Sequence, residues 1–242
     1  MNSYKLTYKS FGNRAILIEW PVKIDKKILK NVILFKNKIL KYNPKVVLEV
    51  IIGYNSLTIV YLNTIKNIYS EFSVLKSIYL SGFSQIKTKN FRWLIPVCYD
   101  KKFGIDLQEI SQKNGLEIDV IINLHSSQIY TVFFIGFLPG FLYLGGLDKQ
   151  LFFNRKSSPR LEVKNGAVGI GGMQTGIYPS QSSGGWNIIG NSPVSFFNPK
   201  KEQPCFAKSG DEIQFYKIDI EEYEQIKKLV EEGIYELERK IL

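Results

Sequence analysis

The residues with chemistry to offer lie close together in the second half of the chain. His125 is the only histidine, in the string H-S-S-Q-I-Y. An imidazole titrates near neutrality, so it can act as general acid or base, or it can orient a loop by hydrogen bonds. Arg160 follows Pro159 in S-P-R, and only five of the 32 basic residues are arginine. A rigid Pro-Arg is a candidate fork for a carboxylate or phosphate, or one arm of a structural ion pair. Gly169–Gly172 can offer successive backbone N–H groups as an anion-binding nest, or form a bulged barrel strand. Gln174, Thr175 and Tyr178 follow in M-Q-T-G-I-Y-P. Ser183-Gly184-Gly185-Trp186 then sets a turn of small residues beside a large flat ring, as a ligand platform or a piece of core. The chemistry such a set can supply is to hold an anion, stabilise charge on oxygen and move a proton.

Several other chemistries are excluded. No Gly-Lys dipeptide occurs, so there is no Walker A loop, and the glycines of 169–176 do not fit GxGxxG. GxSxG, HExxH and CxxC are also missing. Two cysteines, Cys98 and Cys205, make no disulfide framework, and with one histidine they leave too few ligands for a structural zinc. No metal is expected. The net charge of +10 resides in the first third. Residues 1–90 carry 15 Lys or Arg against 4 Asp or Glu, while residues 91–242 carry 17 against 18. An excess made mostly of lysine reads as solvated surface, or a dock for an acidic partner, rather than an arginine grip on nucleic acid. Residues 120–147 carry no charged side chain, yet glycine and Pro139 interrupt them. They read as a buried strand entering a turn, not a bilayer span. The opening stretch has no apolar signal-type core, and a cytoplasmic chain with reduced cysteines is expected.

The elements that must position these residues fall into two groups. Residues 4–20 suggest a strand or hairpin. Residues 25–42 suggest an amphipathic helix capped by Asp25 and stopped at Asn43-Pro44. Residues 46–52 and 57–62 are β-branched runs around a Gly-Tyr-Asn-Ser turn, and 64–80 is a second helix. That order predicts a small α+β sandwich over residues 1–85. A polar stretch, 84–90, reads as the boundary. Residues 86–242 begin with a strand, FRWLIPVCYD, followed by short helices at 106–114 and 116–125. Twelve of the 19 glycines then lie between 136 and 190, the density of a β-barrel with long loops. A terminal helix is expected over 220–241.

GFLPGFLYLGGLD (136–148), S-P-R (158–160) and GIGGMQTGIYPSQSSGGWNIIG (169–190) resemble the signature strings of the KipI family. This is the family of the B subunits of prokaryotic ATP-dependent 5-oxoprolinases, also called allophanate hydrolase subunit 1. IPVCYDKKFGIDL, H-S-S-Q-I-Y and SGDEIQFY fit the same pattern. The resemblance implies a mainly-β, cyclophilin-like barrel after the α+β domain. It implies two partners, the KipA-like C and LamB/YcsF-like A subunits, with ATP used by the complex to open 5-oxoproline to glutamate. No nucleic acid or membrane is implied. Some relatives serve urea carboxylase systems, and one inhibits a histidine kinase; these stand as alternatives. On residue chemistry, His125, Gln174 and Tyr178 are the catalytic candidates. Arg160, Gly171, Gly172, Thr175, Ser183 and Trp186 are the substrate-binding candidates. They are expected to line half of a pocket that another protein completes, the chain being inactive alone. Many relatives have Arg-Thr-Pro where this chain has Asn191-Ser192-Pro193.

Overall fold

The structure is a computed structural model describing residues 4–42, 45–82 and 89–242. The chain divides into two compact units, Met1–Thr88 and Lys89–Leu242. The helix stop expected at Asn43-Pro44, and most of the polar boundary stretch, lie outside the described residues.

In the first unit, β1 (Thr7–Ser10), β2 (Ala15–Glu19), β3 (Val47–Ile52) and β4 (Ser56–Tyr61) form an antiparallel sheet in the order β1-β2-β4-β3. Alternation decides which face is covered, because Ile16, Ile18, Leu57 and Ile59 are fully buried. Helix α1 (Lys26–Tyr42) buries Ile28, Val32, Phe35 and Ile39 at helical spacing. Its start is fixed by Asp25, whose Oδ1 accepts from Lys27 N at 2.7 Å. Helix α2 (Ile68–Leu80) is capped by Asn67, which accepts from the N–H groups of Tyr69 and Ser70.

The second unit is a barrel. Strands β5 (Phe91–Cys98), β6 (Ile129–Ile135), β7 (Leu142–Gly145), β9 (Ala167–Gly171), β10 (Gln174–Ile177), β12 (Asn187–Asn191) and β13 (Glu212–Ile218) run in the ring order β12-β9-β10-β7-β6-β13-β5. The ring closes where Asn191 of β12 bridges Cys98 of β5. Strands β5 and β13 are parallel, and the other ring pairs are antiparallel. Ile95, Val97, Val132, Leu144, Val168, Ile177, Ile189 and Phe215 fill the interior. Helices α3 (Leu107–Asn114) and α4 (Ile118–Ser127) lie between β5 and β6, and a ribbon of β8 (Arg160–Val163) with β11 (Ser182–Gly184) stands apart from the ring. The uncharged stretch 120–147 is thus divided among α4, β6 and β7. Among the described residues no helix is long and apolar enough to cross a membrane.

The expected terminal helix is shorter than its apolar period suggested. Helix α5 (Ile220–Glu231) opens with a capping box between Asp219 and Glu222. It ends at Gly233, whose φ of +75° leaves the helical region. The chain then pairs as β14 (Arg239–Ile241) with β5, and the Arg239 guanidinium lies 4.4 Å from the Phe91 ring centroid and 5.2 Å from that of Trp93. Edge pairing and ring stacking therefore take over residues that helical phase alone had assigned to α5. Pro96 falls between the part of β5 paired to β14 and the bridge to β12, where its missing N–H interrupts no second ladder.

Asn191 has a structural place. It is buried, accepts from Tyr223 Oη of α5 at 2.8 Å and donates to Asn165 O at 2.8 Å. Beside it, a Cβ on Gly190 would stand 2.8 Å from Val97 Cγ1 and 2.9 Å from Cys98 O. Gly190→Ala is therefore expected to force the closing seam apart and lower unfolding free energy by about 1–3 kcal/mol, the usual range for overpacking. Urea denaturation measures this; an unchanged midpoint would contradict the tight seam.

Candidate functional site

Two adjoining cavities open on the second unit, and Arg155 and Lys156 line both. The smaller, about 280 Å³, is walled by Phe141, Tyr143, Tyr178 and Trp186. Glycine makes room for the indole: a Cβ on Gly171 would lie 2.7 Å from the Trp186 ring, and one on Gly176 would lie 3.0 Å from it. The ring therefore rests on bare backbone of β9 and β10. Phe141 meets it edge-on at 5.4 Å, and the Arg155 guanidinium carbon lies 5.4 Å from its centroid. At the rim stands Phe137, exposed and with φ of +67°, a backbone state that non-glycine residues adopt at some cost.

The larger cavity, about 750 Å³, is flanked by Phe152, Phe153 and Met173 and reaches Asn187 and Gly172. Asn187 is buried at the start of β12. Its Nδ2 donates to Asn154 O at 2.8 Å and to Ile170 O at 3.2 Å. Both partners are carbonyls, so the amide cannot be turned over, and its buried Oδ1 has no donor among the described residues.

A charge network holds the wall between the cavities. Asp106, almost wholly buried, accepts from Arg160 Nη2 at 2.6 Å, Lys156 Nζ at 3.0 Å and the Ile188 N–H at 2.6 Å. Lys156 also reaches Glu109 at 2.9 Å, and Lys113 reaches it at 2.7 Å. Hydrogen bonds from these two lysines hold the Glu109 carboxyl down to about 2. Arg155 differs from its neighbours, for it is exposed and no carboxylate pairs with it among the described residues.

The sequence expectation that Arg160, Gln174 and His125 line one cleft is corrected by this geometry. Arg160 is engaged with Asp106. Gln174, partly exposed, begins β10 opposite Gly171. His125 lies in the interior, fully buried, stacked on Phe215 at 4.7 Å. Its Nδ1 is 2.7 Å from Tyr99 Oη and its Nε2 is 2.9 Å from Thr175 Oγ1. Thr175 gives its proton to Gly169 O at 3.0 Å, so Nε2 must carry the imidazole proton and Nδ1 must accept from Tyr99. Burial lowers the imidazole to about 3, so it stays neutral. Thr175, fully buried, belongs to the same network.

The remaining candidates divide. Tyr178 and Trp186 wall the smaller cavity, and Ser183 is exposed at its edge. Burial pushes the Tyr178 phenol up, while a hydrogen bond from the Trp186 N–H partly opposes the rise, so Tyr178 is protonated at neutral pH. Gly171 seats the indole and Gly172 borders the larger cavity. The nest reading of Gly169–Gly172 gives way to a strand: Gly169 and Gly171 pair with β10, and the Gly172 N–H donates to Phe153 O at 2.8 Å. Sequence reasoning missed Arg155, Asn187 and Asp106. The signal for Arg155 was present in N-R-K-S-S-P-R, which holds two of the five arginines.

The Carboxyltransferase domain, subdomain C and D, family matches residues 6–207. A Bacillus subtilis protein named as the B subunit of 5-oxoprolinase is 42% identical over 133 residues, 55% of this chain and 55% of that protein. A protein of the same name from Haemophilus influenzae is 37% identical over 178 residues, 72% of this chain and 81% of the relative. A urea amidolyase from Lachancea kluyveri is 25% identical over 269 residues, covering 96% of this chain but 14% of that protein. Among solved structures, TTHA0988 superposes with a TM-score of 0.73 at 30% identity, over 85% of this chain and 40% of its own. The Kluyveromyces lactis urea amidolyase superposes at 0.85 with 20% identity, over 99% of this chain and 16% of its own, which is a likeness of fold. The matched region thus spans about half of the Bacillus relative and less than half of the TTHA0988 chain.

The buried imidazole has a consequence for stability. Unfolded, it titrates near 6.5; folded, near 3. Between these values the unfolded chain holds the extra proton, so unfolding free energy rises with pH and levels off above about 6.5. From pH 6 down to 5, stability is expected to fall by up to about 1.4 kcal/mol per pH unit, one proton's worth. In His125→Gln that slope should disappear. Denaturant melts of both proteins at pH 5, 6 and 7 decide it, and parallel curves would contradict a buried neutral imidazole.

Proposed function

The chain belongs to the Carboxyltransferase domain, subdomain C and D, family, and on that footing we propose that it is the B subunit of an ATP-dependent 5-oxoprolinase. With the KipA-like C and LamB/YcsF-like A subunits it would hydrolyse 5-oxo-L-proline to L-glutamate, and alone it would be inactive. The names of the Bacillus and Haemophilus relatives support the reading. The observation that carries it is the Arg155 guanidinium, which no carboxylate pairs with among the described residues, lining two cavities, one with aromatic walls.

The chemistry fits this arrangement. A five-membered lactam is a stable amide, and its substrate form carries a carboxylate. Holding that carboxylate needs a cation with no carboxylate partner of its own, which here is Arg155 rather than Arg160. Trp186, Phe141 and Tyr143 form a wall that excludes water and strengthens the charge contact. Tyr178, held as a neutral phenol, and Ser183 are the hydroxyls at this wall that can hydrogen-bond to the substrate. His125, Thr175 and Tyr99 serve as a buried brace, and Gln174 is kept as a candidate contact at the start of β10. ATP is a co-substrate of the proposed reaction. The amides of Gly169, Gly171 and Gly172 are engaged in strand pairing or with Phe153, so this glycine run does not fit a phosphate nest.

We also read the barrel as cyclophilin-like, with residues 1–85 and 86–242 as the domains and the cytoplasm as the location. The likeness to the Lachancea urea amidolyase, over almost the whole chain, favours one second reading: a component of a system that acts on urea-derived amides.

Mixing the chain with the A and C subunits, 5-oxoproline and ATP should yield glutamate, and urea-derived amides should not be consumed. Arg155→Ala is expected to reduce kcat/KM on the order of 10- to 100-fold, mainly through KM, the magnitude of a lost charge-assisted hydrogen bond. No glutamate from the three-subunit mixture would remove the reading.

A further inference from the structure

Among the described residues, Phe137 alone takes a left-handed backbone without being glycine, with φ of +67°. It stands in the loop 136–141 that joins β6 to β7. That loop is tied at its base and at its tip. Gly136 N–H donates to Phe141 O at 3.2 Å, and Phe141 N–H donates to Leu138 O at 3.0 Å. The second bond closes a turn with Pro139 and Gly140 at its centre, and Gly140 at φ of +86° fits the type II form. A Cβ on Gly140 would stand 2.7 Å from Phe197 Cβ and 3.0 Å from Phe196 O, so the turn is pressed against that segment. Phe137 absorbs the remaining bend, in a state its own Cβ makes unfavourable.

The side chain carries a second cost. Phe137 is 65% exposed, whereas Phe141, Tyr178 and Trp186, which wall the same smaller cavity, are at 1%, 1% and 4%. The Phe137 ring meets Phe141 edge-on at 5.9 Å, and Phe141 meets Trp186 edge-on at 5.4 Å. The exposed ring is thus the open end of a continuous aromatic wall. Backbone strain and bare apolar surface at the mouth of one cavity are the marks of a ligand clamp.

We propose that Phe137 determines specificity at this cavity, its ring covering the apolar face of a bound five-membered ring and so selecting a closed ring over an open-chain amide. That 5-oxoproline is the ligand rests on the reading under Proposed function; the clamp rests on Phe137. A closed ring offers the phenyl a contiguous methylene edge and has no internal rotation to lose, whereas an open chain with the same polar groups lacks both advantages.

The test titrates the full chain, alone and assembled with the A and C subunits without ATP, against 5-oxo-L-proline and N-acetyl-L-alanine. The second keeps the amide N–H, carbonyl and carboxylate, but its ring is opened between the two methylene carbons. The lactam should bind tighter by on the order of 10-fold or more. Phe137→Gly should weaken the lactam on the order of 10-fold and N-acetyl-L-alanine about twofold or less, while Phe137→Tyr keeps the lactam within about twofold. The urea midpoint of Phe137→Gly should rise or hold, because glycine relieves the left-handed backbone. Lactam affinity unchanged in Phe137→Gly, no lactam binding in either format, or both ligands weakened alike with a lowered midpoint would each overturn the clamp. Loss of assembly in Phe137→Gly with lactam affinity of the free chain unchanged would instead make the ring a partner contact, and overturns it too. Turnover with ATP is read separately. Glutamate production by the unmodified complex, with the same kcat/KM in Phe137→Gly, would discard the clamp and keep the function, whereas no glutamate from the unmodified complex would discard the function.

Discussion

Asp106 lies almost without solvent at the start of α3 and accepts from a guanidinium, an ammonium and a backbone N–H. A carboxylate in that position is tolerable only with its partners present, since removing one leaves charge uncompensated in a poor dielectric. Its three donors come from separated parts of the chain: β8, the segment before it, and β12. The contact therefore ties the floor of the barrel to the irregular stretch 152–160. Lys156 is fixed a second time, its N–H donating to Gly185 O at 2.8 Å. With Lys156 and Arg160 both anchored, the backbone that bears the exposed Arg155 is tied down on its C-terminal side.

The element pattern was legible in the sequence because helical and strand periods are local. Helix α1 follows from Ile28, Val32, Phe35 and Ile39 with Asp25 before them, and the β3–β4 hairpin from two β-branched runs around a glycine turn. The site was less legible because long-range partners decide it. His125 stands in a polar string that suggests exposure, yet Tyr99 and Thr175, 26 and 50 positions away, enclose it. Arg155 and Arg160 are near neighbours in one segment. Which of them stays available is settled by Asp106, 54 positions from Arg160. The end of α5 is illegible for a related reason: Leu237 and Ile241 keep helical phase, but the left-handed Gly233 ends the helix and Ile241 pairs at a sheet edge instead.

Trp186 shows how the glycine density of this half can be read physically. Gly171 and Gly176 are where a side chain would collide with the indole, so these glycines mark a packing surface rather than loops. A run that suggests a phosphate-binding turn is two strands that present bare backbone to the ring at Gly171 and Gly176 while their other positions fill the barrel. The cavity beside that ring depends on the same economy of atoms, because the indole can lie flat only where β9 and β10 present bare backbone.

The parallel pairing of β5 with β13 has a consequence in time. Phe91 and Asp211, hydrogen-bonded neighbours at this pairing, are 120 positions apart. At ordinary ribosomal speeds of roughly 5–20 residues per second, β5 emerges roughly 6–24 s before the strand it must lie beside. During biosynthesis its exposed rungs and the apolar side chains of Ile95 and Val97 stand open, a window in which a chaperone or a neighbouring nascent chain can reach them first.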